Sequence, residues 1–475
     1  MHESSSESSN RRRPFGRDLG NNTSAELYLC LLVKSKLDDE LALRVAACAE
    51  EISTNGGAPL AVSHYLEGMS QDGIDLTVLT SLKTSDHTIR QLSDQKVRVI
   101  QLPFQISSTF DHGLLGATKR YAAELSEVFS SNDVVYIAQA WYPAAAIARR
   151  IGIPVVAHAH DYAFLRPDWQ MSCQESPKLQ HGMIPCTFAE FVHYRMRYVS
   201  QRVGEGSVTF RAVPMVLYEL LRARQYFLWK QFAESARFAD HLVVVSEATK
   251  RIIIEYLPQL RDRCSVIYNP FTDPGFVDTQ SEDVVRLGYF GGPQYHKGFV
   301  TLLWSLKLLQ IHSPSTRIKL IAPSTRGTRF SAVVRKLGLE SIVLELPHLS
   351  RDELIRLYEH IDFVVVPSVW QEPFGYVALE AQLIGRPVIA TKMGGLTEIV
   401  ENNVTGWLLK ADDAPRLALA LSEVANLPME TVRSMGVKAR AHALRKFSNE
   451  HPVQKLISIL ERASKSPAGR KQNTC

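Results

Sequence analysis

The stretch VVVPSVWQEPFGYVALEAQLIGRPVIATKMGGLTEIV, Val364 to Val400, decides the fold. Its opening is an apolar, β-branched run that reads as a buried strand ending at Pro367 and Ser368. A loop follows, then helix-favouring residues from about Gly375 to Ile384, stopped by Gly385 and Pro387 before a second strand at Val388 to Thr391. Strand, loop, helix and strand in this order build a parallel sheet, and open parallel sheets bind ligands at the carboxyl ends of their strands. Glu372 lies just ahead of the helix, whose first-turn N–H groups near Phe374 to Tyr376 are unpaired and able to point at a phosphate or a sugar hydroxyl. Glu380 lies further along, with seven residues between the two acids. An ionised carboxylate accepts two hydroxyl hydrogen bonds, which suits a vicinal diol. On spacing alone, however, the ordinary reading is a pair of solvated helix glutamates.

The same alternation runs through two series of segments along the chain. One series has strand-like runs at Leu27 (LYLCLLVKS), Leu76 to Thr80, Val97 to Leu102, Val134 to Ala138, Val155 to Ala159 and Leu242 to Ser246. The second starts at Val285 and continues through Ile318 to Ala322, Ile342 to Leu346, Phe363 to Pro367 and Val388 to Thr391. Helical segments between strands predict parallel sheets covered on both faces, hence an α/β fold of two doubly wound, Rossmann-like domains. VIYNPFTDPGF, Val266 to Phe276, has the proline, aspartate and glycine content of a linker. The expected layout is a disordered tail over 1–24, an acceptor-side domain over 25–268, a nucleotide-binding domain over 269–445, and a terminal helix and tail over 446–475 that packs back on the first domain. Residues 173–237 interrupt the alternation with arginines among aromatics, a pattern that fits a helical elaboration or an interfacial surface that would bring peripheral membrane contact.

Composition narrows the classes. The chain has 475 residues, 45% of them hydrophobic, and a formal charge of +5 from 54 basic and 49 acidic side chains, too small an excess for a nucleic-acid partner. Six cysteines without CxxC spacing fit free thiols in a reducing compartment. The N-terminus lacks the apolar core of a signal peptide, and no apolar run reaches the roughly 20 residues of a membrane span, so the expected location is cytoplasmic. No cofactor and no metal site is expected, and oligomeric state is not encoded in any pattern we find.

EPFGYVALE and the following EAQLIGRPVIATKMGGLTEIVENNVTGWLL resemble the donor-site signature of retaining glycosyltransferase family 4, whose members have the GT-B fold. LSRDELIRLYEHIDFVVVPS upstream, DHLVVVSEATK and the YNP of the linker are similar to the corresponding family segments, so the resemblance covers most of residues 240–425. It implies a nucleotide-sugar donor, a carbohydrate or lipid-linked hydroxyl acceptor, and transfer with retained anomeric configuration. Glu380 would take the ribose hydroxyls, while Glu372, with the amides of Phe374 and Gly375, would hold the transferred sugar. Gly394 and Gly395 would let the chain approach the ligand closely.

GYFGGPQYHKGF, Gly288 to Phe299, joins a strand to a helix and lacks the Lys-Ser or Lys-Thr of a Walker loop. The resemblance gives Lys297 the role of neutralising the donor diphosphate, beside the backbone of Gly291 and Gly292. Many family members carry an arginine where this chain has Gly292, which leaves His296 or a residue elsewhere to supply that charge. In the first domain Gly56 and Gly57 resemble the family's glycine-rich loop near the donor phosphate, although Lys36 to Ser53 separates them from the strand expected at Leu27. PVVAHAHDY ends a strand in His158, His160 and Asp161; the family's strand-end histidine matches His160, with Asp161 orienting it and His158 structural. The catalytic candidates are therefore His160, Lys297 and Glu372. A sugar-nucleotide isomerase of the same fold and a degenerate nucleotide-sugar-binding protein are the alternatives, the latter because of Gly292.

Overall fold

A computed structural model describes residues 42–466 apart from 54–55, 105–111, 163–164, 166–233, 279–283 and 449–450. The expected N-terminal tail, the strand at Leu27 and nearly all of the 173–237 insertion lie outside the described residues. From Arg44 onward the chain forms one compact unit.

The first sheet has seven strands in the order β3-β2-β1-β4-β5-β6-β7. They are β1 (Arg44–Cys48), β2 (Asp75–Thr80), β3 (Arg98–Gln101), β4 (Val134–Ile137), β5 (Val155–Ala159), β6 (His241–Val244) and β7 (Cys264–Val266). The second has six, ordered β10-β9-β8-β11-β12-β13: β8 (Val285–Gly288), β9 (Ile318–Ala322), β10 (Val343–Glu345), β11 (Phe363–Val366), β12 (Val388–Thr391) and β13 (Gly406–Leu409). Every pairing of named strands is parallel. The chain twice starts at a central strand and reverses direction, so each sheet has a switch point at which loops part and leave a crevice.

The helices between these strands are α1 (Ala58–Gln71), α2 (Asp86–Asp94), α3 (His112–Arg120), α4 (Ala122–Ser130), α5 (Ala144–Arg150) and α6 (Glu247–Tyr256) in the first half. The second half has α7 (Phe299–His312), α8 (Arg329–Leu337), α9 (Arg351–Leu357), α10 (Tyr376–Ile384), α11 (Leu396–Ile399), α12 (Ala414–Ala425) and α13 (Met429–Phe447). A last helix, α14 (Pro452–Ser464), packs on α1, β4 and β5 of the first sheet. No described helix is long and apolar enough to cross a membrane.

One correction concerns the centre of the first sheet. The strand between β2 and β4 is RVAAC, inside the Lys36 to Ser53 segment that the sequence reading treated as intervening. Two alanines give it weak β propensity, but Val45 to Cys48 are fully buried between helix layers, where small side chains let the helices approach. Gly56 and Gly57 therefore follow closely on this central strand.

The two halves meet through hydrogen bonds as well as the linker. Ser246 caps α6 by accepting from the Thr249 amide, and the hydroxyls of Ser246 and Thr249 both donate to the Pro373 carbonyl at 2.5 and 3.0 Å. Glu398 on α11 receives the Glu247 and Ala248 amides at the same helix start, together with the Tyr268 hydroxyl. A carboxylate at a helix N-terminus is favoured by the free N–H groups and by the helix dipole.

Candidate functional site

Between the halves lies a cavity of about 490 Å³ whose second-domain wall is built largely from the stretch between Val365 and Glu380. β11 delivers the chain to Pro367 and Ser368, and the loop turns over at Glu372 before Gly375 starts α10. Glu372 is 8% exposed; its Oε1 meets Lys297 Nζ at 2.5 Å and its Oε2 accepts from the Ser368 hydroxyl at 3.0 Å. The ammonium also stands 5.1 Å from the centre of the Trp370 ring, against which His296 packs edge-on at 4.9 Å. The Val369 amide donates to the His296 carbonyl, so the Gly288 to Phe299 loop and the Glu372 loop are stitched together. Burial and the adjacent ammonium take His296 down to about 4, leaving a neutral ring that adds no charge.

Gly394 and Gly395 turn out to serve this loop rather than the ligand. A Cβ on Gly394, whose φ is +57°, would stand 2.1 Å from the Glu372 carbonyl oxygen, and one on Gly395 would stand 2.4 Å from the Phe374 oxygen. The Gly395 amide donates to the Glu372 carbonyl at 2.7 Å. Neither glycine lines the cavity, so the expected close approach is of backbone to backbone behind Glu372.

Glu380 lies just over one turn into α10 and makes a second ion pair, Oε1 to Arg351 Nη1 at 2.7 Å. Arg351 opens α9, whose start is fixed by a capping box between Ser350 and Glu353. Burial raises the Glu380 pKa, and Arg351 opposes that rise. Lys297 and Arg351 both border the cavity. Each candidate glutamate thus rests against its own cation, and an anionic or hydroxyl-rich ligand would exchange these contacts for its own.

The first domain supplies Gly56, Gly57 and Ala58 at the start of α1, and His160 and Asp161 at the end of β5. A Cβ on Gly57 would sit 3.7 Å from the Tyr376 ring, which shows how near the two walls come. His160 is 9% exposed, and burial lowers it to about 4 although the Ala138 backbone favours its protonated form. It is therefore neutral at neutral pH, offering one N–H and one lone pair. The structure brings Gly56, Gly57, His160, Gly291, Lys297, Glu372, Phe374, Gly375 and Glu380 to one cavity; Gly292 stands just outside it. Gly292 has a φ of +66°, and its carbonyl accepts from the Tyr289 hydroxyl, so an arginine there would be strained. Among the described residues no group of three or more His, Cys, Asp or Glu side chains is arranged to hold a metal ion.

Two family models match the chain in succession: residues 55–273 match Glycosyltransferase Family 4, and residues 279–442 match Glycosyl transferases group 1. The chain belongs to glycosyltransferase family 4. Among relatives of this family 4 chain, the D-inositol 3-phosphate glycosyltransferase of Mycolicibacterium smegmatis is 32% identical over 239 residues, 47% of this chain and 53% of that protein. The protein of the same name from Mycobacterium avium is 36% identical over 156 residues, 32% of this chain and 36% of its own. The family 4 chain thus spans about half, or less, of the length of these curated relatives. Anabaena HepE, crystallised with UDP and glucose, superposes with a TM-score of 0.58 at 19% identity, covering 88% of this chain and 100% of its own. Sucrose-phosphate synthase of Thermosynechococcus elongatus gives 0.60 at 16% identity, covering 88% and 98%. These likenesses establish the GT-B fold.

The family 4 chain also places residues in the cavity that the sequence reading passed over. Arg351 lay within a quoted helix but had no role; only its partner Glu380 identifies it. Asn269, quoted for the linker, is 5% exposed, borders the cavity and leaves its side-chain oxygen without a hydrogen bond. Trp370 was an unassigned loop residue until it proved to lie under Lys297.

Proposed function

We propose that this chain transfers a sugar from a nucleoside diphosphate sugar to an acceptor hydroxyl with retention of anomeric configuration and without a metal ion. The observation that carries the reading is the Lys297–Glu372 ion pair at the carboxyl end of β11, in a cavity that also receives Glu380 and His160. A bound diphosphate draws Lys297 away from Glu372, and the freed carboxylate accepts sugar hydroxyls. Glu380 accepts from the ribose. As the bond from the anomeric carbon to the diphosphate oxygen breaks, Lys297 offsets the charge growing on the leaving group. The acceptor hydroxyl adds to the same face of that carbon, and its proton passes to the departing diphosphate. His160, neutral and buried, hydrogen-bonds the sugar from the first-domain side. The protein's contribution is positioning and charge compensation.

The relatives' names and the UDP and glucose bound to HepE put UDP-glucose and polyol acceptors at the head of a panel that also includes GDP- and ADP-sugars. Proton NMR of the product should show a glycoside whose anomeric coupling matches the donor, with turnover unchanged in EDTA. An inverted product removes retention, and activity lost in EDTA and restored by manganese removes metal independence. Consumption of donor without any glycoside would mark an isomerase instead.

A further inference from the structure

β5 ends with His158 and Ala159 and His160 follows directly, and alternate residues of an extended chain share a face. The two imidazoles accordingly stack, their centroids 4.2 Å apart and their planes 28° from parallel. His160 forms part of the cavity wall; His158 lies behind it, fully buried. What surrounds His158 is a set of tyrosines. Its Nδ1 shares a 2.9 Å hydrogen bond with the Tyr136 hydroxyl, the Tyr65 ring meets it edge-on at 5.1 Å, and the Tyr142 hydroxyl donates to its carbonyl at 3.2 Å. Ring orientation, backbone and position are all fixed.

His160 is held more loosely, with only the Ala138 backbone near enough to favour its protonated form. Neither of its ring nitrogens makes a hydrogen bond of ordinary geometry within the protein. Rotation about the bond that joins an imidazole to its stem has broad, shallow minima, so a ring without hydrogen bonds takes its plane from what it packs against. Here that is His158. Apolar filling alone would not select histidine for this place, because the buried Nε2 of His158 has no partner and carries an uncompensated desolvation cost that a phenylalanine would not. Burial, with the neighbouring imidazole, drives His158 well below its ordinary range, so a neutral ring faces a neutral ring.

We propose that His158 is a positioning residue: Tyr136 fixes its ring, and the stack sets the plane in which His160 presents its nitrogens to the transferred sugar. The inference rests on the transfer reading given above, but part of its test does not. His158→Phe keeps a flat ring of similar size and removes the Tyr136 bond; the double variant with Tyr136→Phe also removes the hydroxyl left without a partner.

The double variant should fold with a melting temperature at or above that of the parent, and the single variant below the double by the cost of the unpaired Tyr136 hydroxyl. Their kcat should fall about tenfold, while KM for the donor and affinity for the free nucleoside diphosphate stay within about twofold. In spectra of the ligand-free protein labelled with 15N-histidine, the ring signals of His160 should be sharp in the parent and broadened in His158→Phe. Parental kcat in both variants, or an unchanged His160 spectrum, overturns the proposal. A loss of activity that merely follows a loss of melting temperature also overturns it, since His158 would then be a structural residue. Should the parent turn over no sugar nucleotide, the transfer reading fails by itself, and the His160 spectrum still decides whether His158 holds the ring.

Discussion

Glu372 and Glu380 read alike on spacing, yet their surroundings differ. Glu372 is shared between Lys297 and the Ser368 hydroxyl, whereas Glu380 faces Arg351 with burial raising its pKa. Arg351→Ala should therefore leave a partly buried carboxylate without its cation, at a cost of about 1–2 kcal/mol after allowance for solvent at this half-buried pair. Thermal melts should show the loss, and Glu380→Gln in the same background should recover most of it, because a neutral amide needs no counter-charge. Strict additivity of the two changes would contradict the pairing.

At the scale of elements, the Glu372 loop depends on what lies behind it. Gly394→Ala must place a methyl carbon 2.1 Å from the Glu372 carbonyl at a φ of +57°, so we expect about 2–4 kcal/mol of destabilisation and a loss of donor binding greater than the loss of stability explains. Chemical denaturation alongside donor titration checks this; a fully stable, fully binding variant would show that the loop is not held from behind. Strands such as Val155–Ala159, Ile318–Ala322 and Val388–Thr391 were legible because runs of β-branched residues flanked by turn residues have no competing reading. RVAAC was not, because its strand character comes from its place between β2 and β4 rather than from its own side chains. The glutamates, Lys297 and His160 were legible as motif residues. Arg351 was not, and Asn269 was legible only as a family-like linker asparagine without a role, because what marks them is the cavity they share with residues distant in the chain.

For the molecule as a whole, burial sets a pH dependence. His160, His241 and His296 are lowered from 6.5 to about 4, and His158 is also lowered well below its ordinary range, chiefly by desolvation. Between about pH 4 and 6.5 the unfolded chain binds protons that the folded chain does not, so stability rises with pH through this window. It is complete above about 6.5 and lost as pH falls toward 4. At pH 5 the loss is about 2 kcal/mol for a histidine such as His160. Melting temperature should fall steadily from pH 7 to 5, and His160→Asn should flatten the slope by about one proton; a flat profile for the parent would contradict neutral burial. The raised carboxyls of Glu51, Asp362 and Glu380 act in the opposite sense, from their ordinary values of 3.8 to 4.5 upward, and so oppose part of the histidine effect.

The proposed transfer divides the labour within one cavity, with Glu380 on the nucleoside and Glu372 on the sugar. The most direct measurement is calorimetric titration of a nucleoside diphosphate and of its sugar conjugate into the parent, Glu372→Gln and Glu380→Gln proteins. Glu380→Gln should weaken both ligands about 10- to 100-fold, the cost of a lost charge-assisted hydrogen bond. Glu372→Gln should weaken the sugar conjugate by a similar factor and leave the free diphosphate within about threefold of the parent. Equal affinities across all three proteins, or no binding of any nucleoside diphosphate sugar to the parent, would contradict it.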